Sequence, residues 1–179
     1  LRVEISGVLL EIVKGDITSQ PDVEVIVNSA NRWLKPGGGV SGAIHRAAGP
    51  ELEKECSKLA PIEVGDAVIT RGYNLPNDFV IHVLGPVYGK DKPEDVLLSR
   101  CYQNALKLAD ERRVDSIAFP SISTGIFGYP VREASKVALK TILELIPTLK
   151  NVKKIRFVLF SDEDLQAYED ALSEILGEK

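Results

Sequence analysis

The 179-residue chain contains no methionine, one tryptophan, two histidines and two cysteines. Cys56 and Cys101 stand far apart in helix-like segments, and neither has a CxxC neighbour. They read as free, buried thiols of a cytosolic protein rather than as a disulfide or a metal site. The two histidines add no familiar zinc-binding spacing, so no metal is expected. No apolar run approaches the roughly 18 residues that cross a bilayer. The opening LRVEISGVLLEIVKGD alternates and carries charges, unlike a secretory signal. An excess of positive charge is also missing: the net charge is −4 and the isoelectric point about 5.3. That argues against general duplex binding, yet it is compatible with a nucleotide held by backbone amides. Low-complexity tracts, repeats and long polar linkers are absent as well. The expectation is one domain over residues 1–179, cytoplasmic and monomeric, with no membrane or stable nucleic-acid partner.

What is present alternates between two periodicities. Residues 2–5 and 8–13 read as a hairpin about Ser6-Gly7. Short β-branched or apolar strands are predicted at Val23–Asn28, Ala67–Thr70, Phe79–Leu84, Ser116–Pro120 and Ile155–Phe160. Helical patterns cover Gly42 to about Leu59, with a break near Gly49-Pro50, then Pro93–Arg112, Pro130–Ile146 and Asp162–Leu176. Val96, Leu97, Cys101, Ala105, Leu108 and Ala109 are expected on one buried face of the second. Ala134, Val137, Ala138, Thr141, Ile142 and Leu145 form the stripe of the third. Ser161 is placed to cap the last helix, with Asp164 near the capping-box position. Strands alternating with helices after a hairpin predict a three-layer α/β/α fold. Its sheet is mixed and mostly parallel, with the N-terminal hairpin at one edge.

Two strand-to-helix connections are unusually rich in small residues. VNSANRWLKPGGGVSGAIH (27–45) follows one strand, and SISTGIFGYP (121–130) follows another. In open α/β sheets ligands sit beyond the C-terminal ends of strands. A helix N-terminus offers unpaired N–H groups and partial positive charge. Glycine lets those groups approach a ligand. Either loop alone would read as a tight turn; the pair reads as a cradle gripping one diphosphate from both sides. GGGVSG (37–42) matches GxGxxG formally, but eight residues separate Asn28 from Gly37, and this strand is not the first of the chain. A hydride-transferring dinucleotide enzyme is therefore a poor fit. A P-loop fails because no Gly-Lys-Ser/Thr follows.

GDIT (15–18), VNSAN (27–31), GGGVSGAIHRAAGP (37–50), IHVLGP (81–86) and IAFPSISTGIFGYP (117–130) together resemble the macrodomain family in order and spacing, over nearly the whole chain. The resemblance implies a mixed sheet between helices, a cleft for ADP-ribose and, in many members, hydrolysis of ADP-ribosyl bonds. Carried over by position, Asp16 would accept a hydrogen bond from the adenine amino group, with Ile17 a backbone donor beside it. Phe160 would pack on adenine or, alternatively, serve as a core residue. Asn31 would stand near the distal ribose and orient water, while Asn28 would brace the loop backbone. Gly37, Gly38, Gly39 and Val40 would wrap the distal ribose and one phosphate. Ser123, Thr124, Gly125, Ile126 and Phe127 would cradle the diphosphate, Ile126 and Phe127 shielding it from water. His82 reads as a satisfied core histidine and His45 as structural.

Many hydrolytic relatives carry Asp after GGGV, where this chain has Ser41. Other hydrolytic members resemble this chain in having a small residue there, with water held by the asparagine and activated by the ligand's phosphate. The expected catalytic set is thus Asn31, Gly38 and Ser41, without a cofactor. It would act on ADP-ribosylated acidic side chains or O-acetyl-ADP-ribose. The rival expectation is a module that binds ADP-ribose, alone or on modified proteins, without cleaving it.

Overall fold

A computed structural model describes residues 1–177. Its sheet begins with β1 (Arg2–Ile5) and β2 (Val8–Lys14), an antiparallel hairpin turned at Ser6 and Gly7. Both turn residues have positive φ, 50° and 81°, the twist that two-residue hairpin turns need. Next come β3 (Val25–Ser29), α1 (Gly39–Ala48), α2 (Pro50–Ser57), β4 (Ala67–Arg71) and β5 (Phe79–Val83). The chain then forms α3 (Glu94–Glu111), β6 (Ser116–Phe119), α4 (Val131–Leu145), β7 (Lys154–Leu159) and α5 (Asp162–Gly177). The strand order is β1-β2-β7-β6-β3-β5-β4. The inner pairs are parallel, and both edges, β1 and β4, are antiparallel. The sequence pattern anticipated the first of those edges only.

The period of two along each strand divides the core into two layers. Val25 and Val27 of β3 join the layer packed by α3, α4 and α5, whereas Ile26 faces Ile44, Leu52 and Cys56 of α1 and α2. In the first layer Tyr102, Phe119, Phe157 and Tyr168 pack in sequence, with centroids 5.3, 5.6 and 5.2 Å apart; the middle pair is stacked and the outer two are tilted. On the other face of β7 stands Arg156. It donates to Glu11 on β2 and, at 2.8 Å, to Asp22 in the connection that leads to β3. The Arg156 guanidinium holds the Asp22 carboxyl far below its ordinary range, so this cluster ties β2, β7 and that connection together.

Several boundaries differ from expectation for identifiable reasons. Gly49, at φ +88°, closes α1 by donating to His45 O (3.0 Å), and Pro50 opens α2, which realises the anticipated break. The first of these helices starts three residues early, at Gly39. The buried face of α3 is rotated by one position: Leu98, Tyr102 and Leu106 join Cys101, Ala105 and Ala109, while Val96 is exposed. Pro130 is the N-cap of α4 and not its first helical residue. Ser161 does cap α5, its Oγ accepting from Asp164 N at 3.1 Å. Cys56 and Cys101 are both free and buried, and burial pushes each thiol up to about 12.

Candidate functional site

The parallel strands β2, β7, β6, β3 and β5 all end at the same side of the sheet. The chain leaves β3 on its way to β5 but leaves β6 toward β7. The two connections diverge and open a crevice between them, the topological switch point of an open α/β sheet. A cleft of about 230 Å3 lies there. Its walls come from Ser29 at the end of β3 with Gly38, Gly39 and Val40 beyond it, and from Ser121, Ser123, Gly125, Ile126 and Phe127 after β6.

The first wall is the N-terminus of α1. Gly38 is the N-cap, and no side chain caps the helix. The N–H groups of Gly39, Val40 and Ser41 have no partner among the described residues, and the next, Gly42 N–H, reaches Gly38 O at a long 3.4 Å. Gly39 adopts φ +57°, a conformation that glycine reaches without steric cost. At Gly42 an added Cβ would run into Gly37 O and come within 3.0 Å of the Arg46 guanidinium, so only glycine lets the loop lie against the helix. The wall is therefore a set of partner-free amides carried by closely packed backbone, beside the cleft that Gly38, Gly39 and Val40 line, the kind of helix start that suits an anion.

Asn31 fixes that loop from below. Its Nδ2 donates to Lys35 O (2.8 Å) and its Oδ1 accepts from Lys35 N (3.1 Å). One amide hydrogen and one lone pair of Asn31 remain for other partners. Ser41 is 5% exposed and donates its hydroxyl to the same Lys35 carbonyl at 3.3 Å. Ser41 therefore braces the loop and is not among the residues lining the cleft. Neither is Gly37, whose carbonyl packs against α1.

The assignment of Asn28 as loop brace is corrected. Asn28 is fully buried within β3, and its Nδ2 donates to His82 Nδ1 at 3.0 Å. His82 Nε2 lies 2.9 Å from Thr70 Oγ1, which in turn donates to Arg71 O at 3.1 Å. The chain of donors fixes the Nε2–H tautomer. Burial holds the His82 ring neutral, its pKa pushed down to about 3. Asn28 Oδ1 and both ring nitrogens of the nearby His45 are buried without partners. A polar residue inside a strand of aliphatic neighbours gives no sign in sequence of the partner that satisfies it, and the loop-bracing amide is three residues further on.

The second wall runs from Ser121 to Phe127. Ser123 has φ +67°, and its buried Oγ has no partner. Gly85, after β5, lies directly behind it, where an added Cβ would meet the Ser123 hydroxyl and come within 2.7 Å of Ile122. Carbonyl groups hold the loop: Ser123 O accepts from Tyr129 N (2.9 Å), Gly125 O from Gly128 N (3.0 Å) and Phe127 O from Tyr88 N (2.9 Å). The amides of residues 123–127 donate to no partner among the described residues. The Thr124 hydroxyl turns back to Ser121 O at 3.0 Å and away from the cleft. Ile126 is 99% exposed, an arrangement that costs apolar surface unless something covers it.

Two further connections end nearby. After β2, Asp16 accepts from Thr18 N (2.8 Å) and Thr18 Oγ1 (2.7 Å) through one oxygen. The hydroxyl bond, then the backbone bond, hold its carboxyl below the ordinary value. The second oxygen is free to accept. Ile17 is buried and its N–H is unpartnered among the described residues. After β7, Phe160 lies just past the strand end and is 89% exposed, so its core alternative is excluded. The missed lining residues Ser29 and Ser121, and the backing residue Gly85, had a weak signal: each lies in or beside a stretch that carries the family pattern.

Among the described residues no group of three His, Cys, Asp or Glu side chains is placed to hold a metal ion, and no helix is long and apolar enough to cross a membrane. The family model for the Macro domain matches residues 27–138. A macro domain-containing protein of Chlorobaculum tepidum is 51% identical over 168 residues, covering 93% of this chain and 97% of its own. The structure of the Oceanobacillus iheyensis macrodomain with ADP matches with a TM-score of 0.95 and 41% identity, over 100% of this chain and 97% of that one. The Trypanosoma brucei macrodomain in complex with ADP-ribose matches with a TM-score of 0.85 and 34% identity, over 91% and 68%. On the match of residues 27–138, the relatives that align over nearly their whole length and the superposable fold, the chain belongs to the macrodomain family.

Proposed function

We propose that the cleft binds ADP-ribose and that the protein hydrolyses ADP-ribosyl conjugates of acidic side chains or of small acyl groups. The observation that carries the reading is the pair of partner-free amide arcs, residues 39–41 and 123–127, in the two walls of one cleft at the switch point, which Gly39 and Val40 line from one side and Ser123, Gly125, Ile126 and Phe127 from the other. Such arcs suit the oxygens of a diphosphate. The strand order supplies the rest. Asp16 and Ile17 follow β2, Phe160 follows β7, the second arc follows β6, and Asn31 with the first arc follows β3. Three strand spacings separate β2 from β3, about 14 Å, a span suited to a nucleoside diphosphate joined to a second ribose. Adenine would donate its amino group to the free Asp16 oxygen and lie on Phe160, and the distal ribose would reach Gly38 and Asn31. Related macrodomain structures with ADP and ADP-ribose support this placement.

Hydrolysis then needs a water at the distal ribose. The spare N–H and lone pair of Asn31 would orient it, and a ligand phosphate oxygen would accept its proton. The bond to the acyl group breaks as the water oxygen bonds, releasing a carboxylate and ADP-ribose. Positioning of this kind contributes several kcal/mol to lowering a barrier. A second reading, a binding module without turnover, is favoured by one observation: the Ser41 hydroxyl faces Lys35 O and offers the cleft no base. Calorimetry with ADP-ribose, AMP and NAD, followed by turnover of a glutamate-linked ADP-ribosylated protein, separates the readings. ADP-ribose is expected to bind tightest and turnover to exceed the enzyme-free rate. Binding with turnover at the background rate establishes the reader instead, and no binding overturns both.

A further inference from the structure

Trp33, the single tryptophan of the chain, is 58% exposed. Its loop is nonetheless strongly restrained. Leu34 N–H closes a turn on Asn31 O (3.1 Å), with Arg32 and Trp33 at the two corners. Arg32 O accepts from Ile62 N (3.0 Å), and the Arg32 guanidinium bonds Ile62 O (3.3 Å) and Glu63 (2.7 Å). Leu34, at φ 56°, is buried, which sends its neighbour outward, and the Asn31 clamp fixes Lys35. A large aromatic ring held on rigid backbone and left in water is the form that binding anchors take.

Its position chooses the occupant. Along the end of the sheet the proposed base, diphosphate and ribose sites run from β2 to β3, and Trp33 follows Asn31 at the ribose end, outside the cleft lining. Whatever is attached to the distal ribose leaves the cleft there. Two cations flank the same loop: Lys35 stands two residues beyond Trp33, and the Arg46 guanidinium lies beside Gly42 where Gly37 packs on α1. Neither has an ion-pair partner among the described residues, whereas Arg32 is neutralised by Glu63. Resting on the function proposed above, we infer that Trp33, with Lys35 and Arg46, docks the acidic peptide segment that carries the ADP-ribosylated side chain. The protein thereby selects modified proteins over free ADP-ribose.

Because Trp33 is the only indole, its emission reports the contact directly. Three probes are compared: free ADP-ribose, a peptide with glutamate flanks carrying ADP-ribose through a non-hydrolysable linkage, and the same conjugate with glutamine flanks. The acidic conjugate is expected to bind about tenfold tighter than ADP-ribose, the effect of one desolvated aromatic anchor, and to shift Trp33 emission to the blue. Trp33→Ala removes that tenfold and leaves ADP-ribose affinity unchanged. Lys35→Gln with Arg46→Gln equalises the two conjugates. The inference is overturned if the acidic conjugate binds no tighter than ADP-ribose, if emission does not move, or if Trp33→Ala weakens all three probes equally. Failure of ADP-ribose itself to bind the unaltered protein overturns the underlying function as well, so the two failures are distinguishable.

Discussion

At the scale of single residues the same polar atom types do opposite work according to whether their partners are complete. Asp16 keeps one carboxylate oxygen free while the other is held by Thr18. Asp16→Ala is expected to weaken ADP-ribose about tenfold or more, as loss of a charge-assisted hydrogen bond should, and to shrink the preference for adenine over guanine. Calorimetry with ADP-ribose and its guanine counterpart reads both; an unchanged preference removes Asp16 from the base site. The Thr18 hydroxyl and backbone bonds hold the Asp16 carboxyl below its ordinary range, so it stays ionised and this contact persists from pH 7 to pH 5. His82 is the complete case. Its folded pKa of about 3 lies below the ordinary 6.5, so between those values the unfolded chain binds a proton that the folded chain does not. Stability from His82 is fully present above pH 6.5 and is lost as pH falls. Urea unfolding at pH 7 and 5.5 should differ by about 1 kcal/mol for this group. A flat profile would mean that the folded ring binds its proton as readily as the unfolded one.

At the scale of elements, the glycine-rich start of α1 separates folding from function. Gly38 has an ordinary φ of −87° and nothing within 4 Å of an added Cβ, whereas Gly42 would collide with Gly37 O. Gly38→Ala is therefore expected to change stability by less than about 0.5 kcal/mol while placing a methyl group in the cleft and weakening ADP-ribose. Gly42→Ala should cost about 1–3 kcal/mol and disturb the amide arc as well. Denaturant titration beside calorimetry distinguishes them; equal stability losses would show that the loop yields. The sequence made this helix visible but not its first turn, because glycine has poor helical propensity and α1 starts on Gly39 only where the sheet end leaves its amides unpaired. The buried face of α3 was legible to within one position, because Cys101, Ala105 and Ala109 carry the period, but the core's demand for Tyr102 decided the rotation. Phe160 was ambiguous because a strand-final aromatic fits both a core and a rim, and burial is a tertiary fact.

At the scale of the whole molecule, the strand count, the parallel centre and the hairpin could be read from periodicity, while the strand order could not. The pairing of β2 with β7 joins residues more than 140 positions apart, and no local pattern encodes it. The buried Arg156–Glu11 pair that accompanies it was equally silent in sequence. That order brings four separate connections to one end of the sheet, so the proposed ligand must act on them as one site. Amides without partners exchange quickly in the free protein. A bound diphosphate sugar should slow exchange in residues 37–41 and 123–127 together, and at Ile17, while the turn between β4 and β5 at the opposite end, residues 72–78, stays unchanged. By mass action, ADP-ribose at about 100 times its dissociation constant adds about 2.7 kcal/mol. For a chain of this size that raises the melting temperature by about 5–10 °C. Protection confined to one arc would mean that the two loops do not share a ligand, whatever the thermal shift, because a single helix N-terminus can bind an anion alone, whereas only a common diphosphate couples the amides after β3 to those after β6.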